Sequence, residues 1–178
     1  MKNGIIFLNF LYDTELTEYF TKNNGFFGMD LTDKKLLKLL QKNSDLPLSE
    51  VSRRIGISTT PCWNRIKKLE ERGIIKNKVS VLDRVKAGFP VTVFLSITVS
   101  NHNSDWYTKF EEAVVKHGQI MEVHRLTGSS ADYLLKIIAK SIEDYDVFQQ
   151  KLISEIQFTS MASSISLKEI KNSHAIPL

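Results

Sequence analysis

The 178-residue chain contains one cysteine, Cys62. A lone thiol makes no internal disulfide and builds no cysteine metal cluster, and such usage suits a reducing, cytosolic setting. The four histidines, His102, His117, His124 and His174, stand at no metal-ligand spacing. There is no glycine-rich phosphate loop of the nucleotide-binding kind, and no serine or cysteine in a nucleophile elbow. Long apolar runs are missing as well. Ile5–Leu8 with Phe10-Leu11 falls far short of the roughly 20 apolar residues a membrane-spanning helix needs. No small-x-small cleavage site follows it, only Tyr12-Asp13-Thr14-Glu15, which argues against export. These absences leave a protein with no membrane span, no metal and no obvious catalytic constellation.

Apolar residues make up 42% of the chain and charged residues 25%, ordinary for a globular protein of one domain or two small ones. The net charge of +4 is modest, but it is unevenly placed. Residues 1–28 carry net −1, residues 29–90 net +7 and residues 91–178 net −2. A basic module joined to a slightly acidic one points to a polyanion partner for the first, although a solvated lysine-rich surface gives the same count.

Within the basic module, Thr32–Asn43 reads as a helix with Thr32 as N-cap and Leu36, Leu37 and Leu40 as its buried stripe. Asn43-Ser44-Asp45 and Pro47 break it. Leu48–Ile55 reads as a short second helix with Leu48, Val51 and Ile55 facing in, Gly56 turning the chain and Ile57 filling the angle. A third helix begins near Ser58-Thr59-Thr60, with Ser58 or Thr59 as its cap and Pro61 in its first turn, and stops at Gly73. Its inner stripe is Cys62, Ile66 and Leu69, so Cys62 is a small core residue rather than a nucleophile. The other side carries Thr60, Trp63, Asn64, Lys67 and Lys68.

A helix buried on one side and basic on the other, held across a glycine turn by a shorter helix, is a helix-turn-helix DNA reader. Ser58, Thr59, Thr60 and Pro61 form its entry, where unpaired N–H groups and the helix dipole favour a phosphate. Thr59, Thr60, Trp63, Asn64 and Lys67 would reach base edges or the groove wall, Asn64 best through a two-point grip on adenine. Arg53, Arg54, Arg65, Lys68 and Arg72 would touch phosphates, which set position rather than sequence. Trp63 has a second reading, as a brace against a neighbouring helix or strand.

Leu31–Gln41 followed by LSEVSRRIGISTTPCWNRIKKLEERGII closely resembles the Lrp/AsnC family of transcription regulators. The TPC entry to the third helix and the RIKKLEERG that follows are the most specific part, and the resemblance runs over about residues 29–178. It implies an α+β protein: an N-terminal winged helix-turn-helix over 29–73, a hinge strand and linker over 74–90, and a C-terminal ferredoxin-like (βαββαβ) ligand-sensing and oligomerisation domain over 91–178. It also implies a small amino-acid effector bound between subunits, and a homodimer on double-stranded DNA that assembles further to an octamer. Residues 1–28 are expected to be an extension outside the fold, with Met29 resembling the usual start.

The residues of the second half support the same plan. Ile74–Asp83 is β-branched and partly alternating, a strand. VTVFLSITV alternates from Val91 to Val99. A helix from Ser104, its expected cap, to His117 has the stripe Trp106, Phe110, Ala113 and Val114. Strands follow over Ile120–Thr127 and Asp132–Ala139. A helix from Ser141, paired with Asp144 at its cap, carries Tyr145, Phe148, Leu152 and Ile156, and Ser163–Lys171 reads as a last strand. The order β-α-β-β-α-β covers one sheet face with two helices, and a second copy is expected on the other.

The loop Thr127-Gly128-Ser129-Ser130-Ala131-Asp132-Tyr133 offers amides and hydroxyls for a carboxylate and Asp132 for an ammonium group, the two ends of an amino acid. From the residues alone, a plain β-turn is the simpler reading. Gly128, Asp132 and Tyr133 match the family's glycine-x-x-Asp-Tyr effector segment, but with one residue inserted before Asp132. His124 lies in the strand beside this loop as a further effector contact or an ordinary strand histidine, and His102 and His117 read as surface or helix-end residues. No cofactor is expected. A sirohaem-decarboxylase-like enzyme has a similar two-domain plan, but would have little use for a basic, hydroxyl-led third helix. A winged helix that binds protein would have little use for the net +7.

Overall fold

The computed structural model describes residues 28–100, 104–128 and 130–178, and within them the chain forms two compact units. One ends at Val79 and also contains Ser173–Leu178; the other spans Ser80–Asn172. The extension expected over 1–28 lies, apart from Gly28, outside the described residues, as do His102 and Ser129.

The first unit holds three helices: α1 (Leu31–Lys42), α2 (Leu48–Ile55) and α3 (Thr59–Glu71). Asp30, not the expected Thr32, caps α1. Its Oδ1 accepts the Asp33 N–H at 2.8 Å, and Asp33 Oδ2 accepts the Asp30 N–H at 3.3 Å, a reciprocal capping box. A carboxylate is a stronger acceptor than a hydroxyl, and at N3 Asp33 completes a box that Thr32 could not share. Pro47 precedes α2, where its missing N–H is harmless. Gly56 ends α2 at φ 81°, and Gly73 follows α3 at φ 67°. Both are left-handed turns that a side chain would strain.

The stripes read from the periodicity make the core. Leu36, Leu37, Val51, Cys62 and Leu69 are buried, with Leu40, Leu48, Ile55, Ile57 and Ile66 packed around them. Full burial of each aliphatic side chain contributes roughly 1.5–3 kcal/mol, so truncating Leu69 to alanine is expected to cost about 2–5 kcal/mol. Ser173–Leu178 joins this unit at α1: the Gln41 side chain donates to the Ile176 carbonyl at 3.3 Å and accepts its N–H at 2.6 Å, and Leu178 packs on the core.

The second unit is β1 (Val91–Thr98), α4 (Ser104–Lys116), β2 (Ile120–Arg125), β3 (Tyr133–Ala139), α5 (Ile142–Glu155) and β4 (Ser160–Ile165). The sheet order is β2-β3-β1-β4 with every neighbouring pair antiparallel, the split βαβ plan of a ferredoxin-like fold. Val93, Leu95 and Ile97 of β1 and Leu135, Ile137 and Ala139 of β3 share one face, buried with Phe110, Ala113, Tyr145, Phe148 and Leu152 of the helices. The other face carries Phe94, which is exposed, and the half-buried Leu134 and Ile138. Ser141 caps α5 by accepting the Asp144 N–H at 3.1 Å, while Asp144 accepts the Lys140 N–H at 2.9 Å.

Three further expectations need correction. Residues 74–83 contain no strand within this chain; Val79, Val81 and Leu82 are about 70–75% exposed, because an extended segment becomes a strand only when another strand satisfies its backbone. The last strand is Ser160–Ile165 rather than Ser163–Lys171. Thr159 N–H already bonds the Thr98 carbonyl, and by Ser166 pairing has reached Thr92, so β1 ends before the chain does. His117 is a helix-end residue, directly after α4, but not a surface one: it is buried, 2.9 Å from Glu155, with its ring nearly perpendicular to that of Phe148.

Candidate nucleic-acid interface and effector loop

The core stripe of α3 fixes which of its residues reach solvent. Cys62 and Leu69 face in, so Thr60, Asn64 and Lys67 fall on the opposite side of a helix turning 100° per residue. All three are exposed, as are Ser58, Thr59, Pro61, Trp63 and Lys68. Ser58 stands at the N-cap of α3, as expected, but its side chain makes no capping hydrogen bond. The start of α3 therefore presents hydroxyls beside first-turn N–H groups that have no intrahelical acceptor.

Trp63 is 49% exposed, and the Lys67 amine sits 5.3 Å from its ring centre. The ring also borders a groove with Leu40, Leu46 and Leu48. Trp63 thus lies beside an apolar groove of the helices and, with Lys67, faces solvent over about half its surface.

The arginines differ from one another. Arg53 and Arg54 share Glu50, at 2.7 and 2.6 Å; those two guanidinium groups hold the Glu50 carboxyl down to about 2. Arg72 donates to the Gly28 carbonyl at 3.2 Å. Arg65 is half-buried, and its Nη1 lies 2.7 Å from Asp30 and 2.7 Å from Asp33. Of the five arginines and lysines assigned to phosphates, Lys68 is on the exposed flank of α3, Arg53 and Arg54 share an internal carboxylate, and Arg65 and Arg72 have partners at the start of α1. The Asp30 and Asp33 contacts of Arg65 carry no signal in the sequence beyond the acidic first turn of α1.

In the second unit, the loop after β2 is pinned at both ends. Leu126 N–H donates to the Asp132 carbonyl at 2.7 Å, Asp132 N–H to the Ile97 carbonyl at 2.9 Å, and the Thr98 hydroxyl to the Ser130 carbonyl at 3.1 Å. Gly128 turns the loop at φ 74°. Asp132 Oδ2 accepts the Val99 N–H at 2.7 Å, so this carboxylate anchors the end of β1. Tyr133 is buried; its ring centre is 5.0 Å from Phe110 and 5.6 Å from Trp106, on the helix-covered face. His124 is exposed, 3.4 Å from Glu122, and pairs in register with Leu134, the residue beside Tyr133 whose side chain takes the opposite face. The loop is thus held through the backbone of Leu126, Ser130 and Asp132 and through the Asp132 carboxylate, while Tyr133 and His124 lie on different faces of the sheet.

Residues 92–176 match the Lrp/AsnC ligand binding domain, and residues 29–76 match a winged helix-turn-helix DNA-binding domain. The chain is 39% identical over 150 residues to the glutamate uptake regulatory protein of Zymomonas mobilis, covering 84% of this chain and 91% of that protein. The chain belongs to the Lrp/AsnC family. It is 33% identical over 151 residues to the DNA-binding transcriptional activator DecR of Escherichia coli. Among solved structures, an AsnC family transcriptional regulator from Agrobacterium tumefaciens superposes with a TM-score of 0.80 at 38% identity, covering 84% of this chain and 97% of that one. A transcriptional regulator from Neisseria meningitidis in complex with L-Met does so with a TM-score of 0.79 at 30% identity, covering 84% and 96%. This Lrp/AsnC chain is accordingly a DNA-binding transcriptional regulator and not an enzyme, which sets the decarboxylase reading aside. Among the described residues, no helix is long and apolar enough to cross a membrane.

Proposed function

We propose that this regulator reads double-stranded DNA with the outer face of α3 and responds to a small amino acid held at the loop after β2. The exposed row Thr60, Asn64 and Lys67 opposite the buried Cys62 and Leu69 carries the reading. Asn64 grips a base edge, Lys67 and Trp63 line the groove wall, and Ser58, Thr59 and Lys68 meet phosphates. Arg53 and Arg54 reach the backbone as a pair whose charge Glu50 half cancels.

The effector's carboxylate is met by backbone and hydroxyl groups around Gly128 and Ser130, with Asp132 holding that loop in shape rather than gripping the ammonium group. The L-Met complex of the Neisseria regulator supports this class of ligand. A homodimer, assembling further to an octamer, covers Phe94, Leu134 and Ile138 and gives the extended segment around Val79, Val81 and Leu82 a strand to pair with. An amino acid that favours one assembly shifts its population, and with it the spacing of paired recognition helices.

The test is fluorescence anisotropy on a random-sequence duplex, with light scattering, in the presence of each of the twenty amino acids in turn. One or a few are expected to shift both DNA affinity and particle mass. Binding of DNA with no response to any of them would remove the effector half of the proposal; no DNA binding at low salt would remove the rest.

A further inference from the structure

Arg65 stands three residues after Cys62 and four before Leu69, on the flank of α3 nearest its buried stripe. It is half-buried, unlike Asn64, Lys67 and Lys68. Its Nη1 donates to Asp30 Oδ2 and to Asp33 Oδ1, each at 2.7 Å. The other oxygen of each aspartate is already occupied by the α1 capping box: Asp30 Oδ1 takes the Asp33 N–H at 2.8 Å and Asp33 Oδ2 takes the Asp30 N–H at 3.3 Å. All four carboxylate oxygens of the box are thus engaged, two by the start of α1 and two by a side chain more than 30 residues away in sequence.

We infer that Arg65 is a positioning residue for DNA reading rather than a phosphate contact. It locks the recognition helix to the N-terminus of α1 and so sets the rotation of α3 about its own axis. This rests on the DNA-reading role proposed for α3 and refines which of its cations do what. Two short charge-assisted bonds from one nitrogen, to carboxylates that the capping box itself holds in place, make a rigid joint. A third contact on the same flank, Arg72 to the Gly28 carbonyl at 3.2 Å, is made at the C-cap of α3 and resists the same rotation. The charge balance agrees. The Arg65 guanidinium is already shared by two carboxylates, which makes it a poor contact for a DNA phosphate. A small rotation of α3 moves Thr60 and Asn64 off their base edges while the exposed lysines still find phosphates. The clamp therefore governs sequence selectivity more than overall affinity.

The full chain is tested by anisotropy at stepped salt on two duplexes: a random-sequence 30-mer and the best-bound 30-mer recovered from a random pool by in vitro selection. Arg65→Gln is expected to weaken the selected duplex about tenfold, the cost of one mismatched base pair, with the random duplex changed less than about twofold and the slope of log K against log salt kept. Lys68→Gln is expected to weaken both duplexes alike and to flatten the slope by about one, the signature of a lost phosphate contact. If Arg65→Gln fails to fold, Asp30→Asn serves instead, since asparagine is as good an N-cap but removes one charge from the clamp. It is expected to lower the selected-to-random ratio about threefold, a part of the one-mismatch cost. Arg65→Gln behaving like Lys68→Gln, or an unchanged ratio in the folded variant, would overturn the inference. Wild-type protein that binds neither duplex would refute the DNA reading and the clamp's role with it.

Discussion

The carboxylate of Asp132 accepts the backbone N–H of Val99 at 2.7 Å, tying the loop after β2 to the end of β1. Asp132→Ala leaves that partly buried N–H without its acceptor. A hydrogen bond to a charged group contributes about 1.5–3 kcal/mol, and a loss of that order is expected in urea unfolding. Asp132→Asn, which keeps an acceptor, is expected to cost less. Equal stability of Asp132→Ala and wild type would return Asp132 to the role of a ligand contact only.

Glu155 gives an acid-sensitive joint between the two helices of the second unit. Lys116 at 2.6 Å and the buried His117 at 2.9 Å hold its carboxyl well below the usual range, at about 2 against an ordinary value of 4.5. A carboxylate depressed in the folded state adds stability above its unfolded pKa, and that stability is lost as pH falls through the folded value. Wild type is therefore expected to unfold at higher urea than Glu155→Gln at pH 7, with the gap narrowing between pH 4.5 and pH 2. Urea midpoints measured across that range check this; a gap that widens on acidification would contradict it.

Trp63 is about half exposed, with Lys67 over its ring. Truncating a fully buried aromatic costs about 3–5 kcal/mol, so Trp63→Ala is expected to lose roughly half of that. Thermal unfolding measures the loss. The same variant is expected to weaken DNA binding, because Lys67 loses the surface that orients it.

Gln41 holds the Ile176 backbone through both its donor and its acceptor. The contacts are exposed, so Gln41→Ala is expected to cost no more than about 1 kcal/mol. Hydrogen exchange is the sharper reading: the Ile176 amide should be protected in wild type and exchange freely in the variant.

Much of the architecture was legible because it rests on short-range periodicity. The stripe Cys62, Ile66 and Leu69 marked the inner face of α3, and Tyr145, Phe148, Leu152 and Ile156 marked that of α5, since a 3.6-residue repeat writes burial directly into spacing. What was not legible depended on partners distant in sequence. Nothing in RIKKLEE says that Arg65 meets Asp30 and Asp33, and nothing around His117 announces Glu155 on the other helix. Tyr133 reads as a ligand contact because the loop motif includes it, and nothing in that motif announces that its ring packs against Trp106 and Phe110. Residues 74–83 have the composition of a strand, but composition cannot supply the neighbour that a strand requires.

The central claim is that the outer face of α3 reads DNA sequence. The most direct measurement is selection of bound duplexes from a random pool by the wild-type chain, and by Asn64→Ala in parallel. Wild type is expected to enrich a two-fold-related site with half-sites about one helical turn apart, and Asn64→Ala to relax the preference at one position in each half-site while still binding. Enrichment of no sequence by the wild type, or an identical site from Asn64→Ala, would contradict the account.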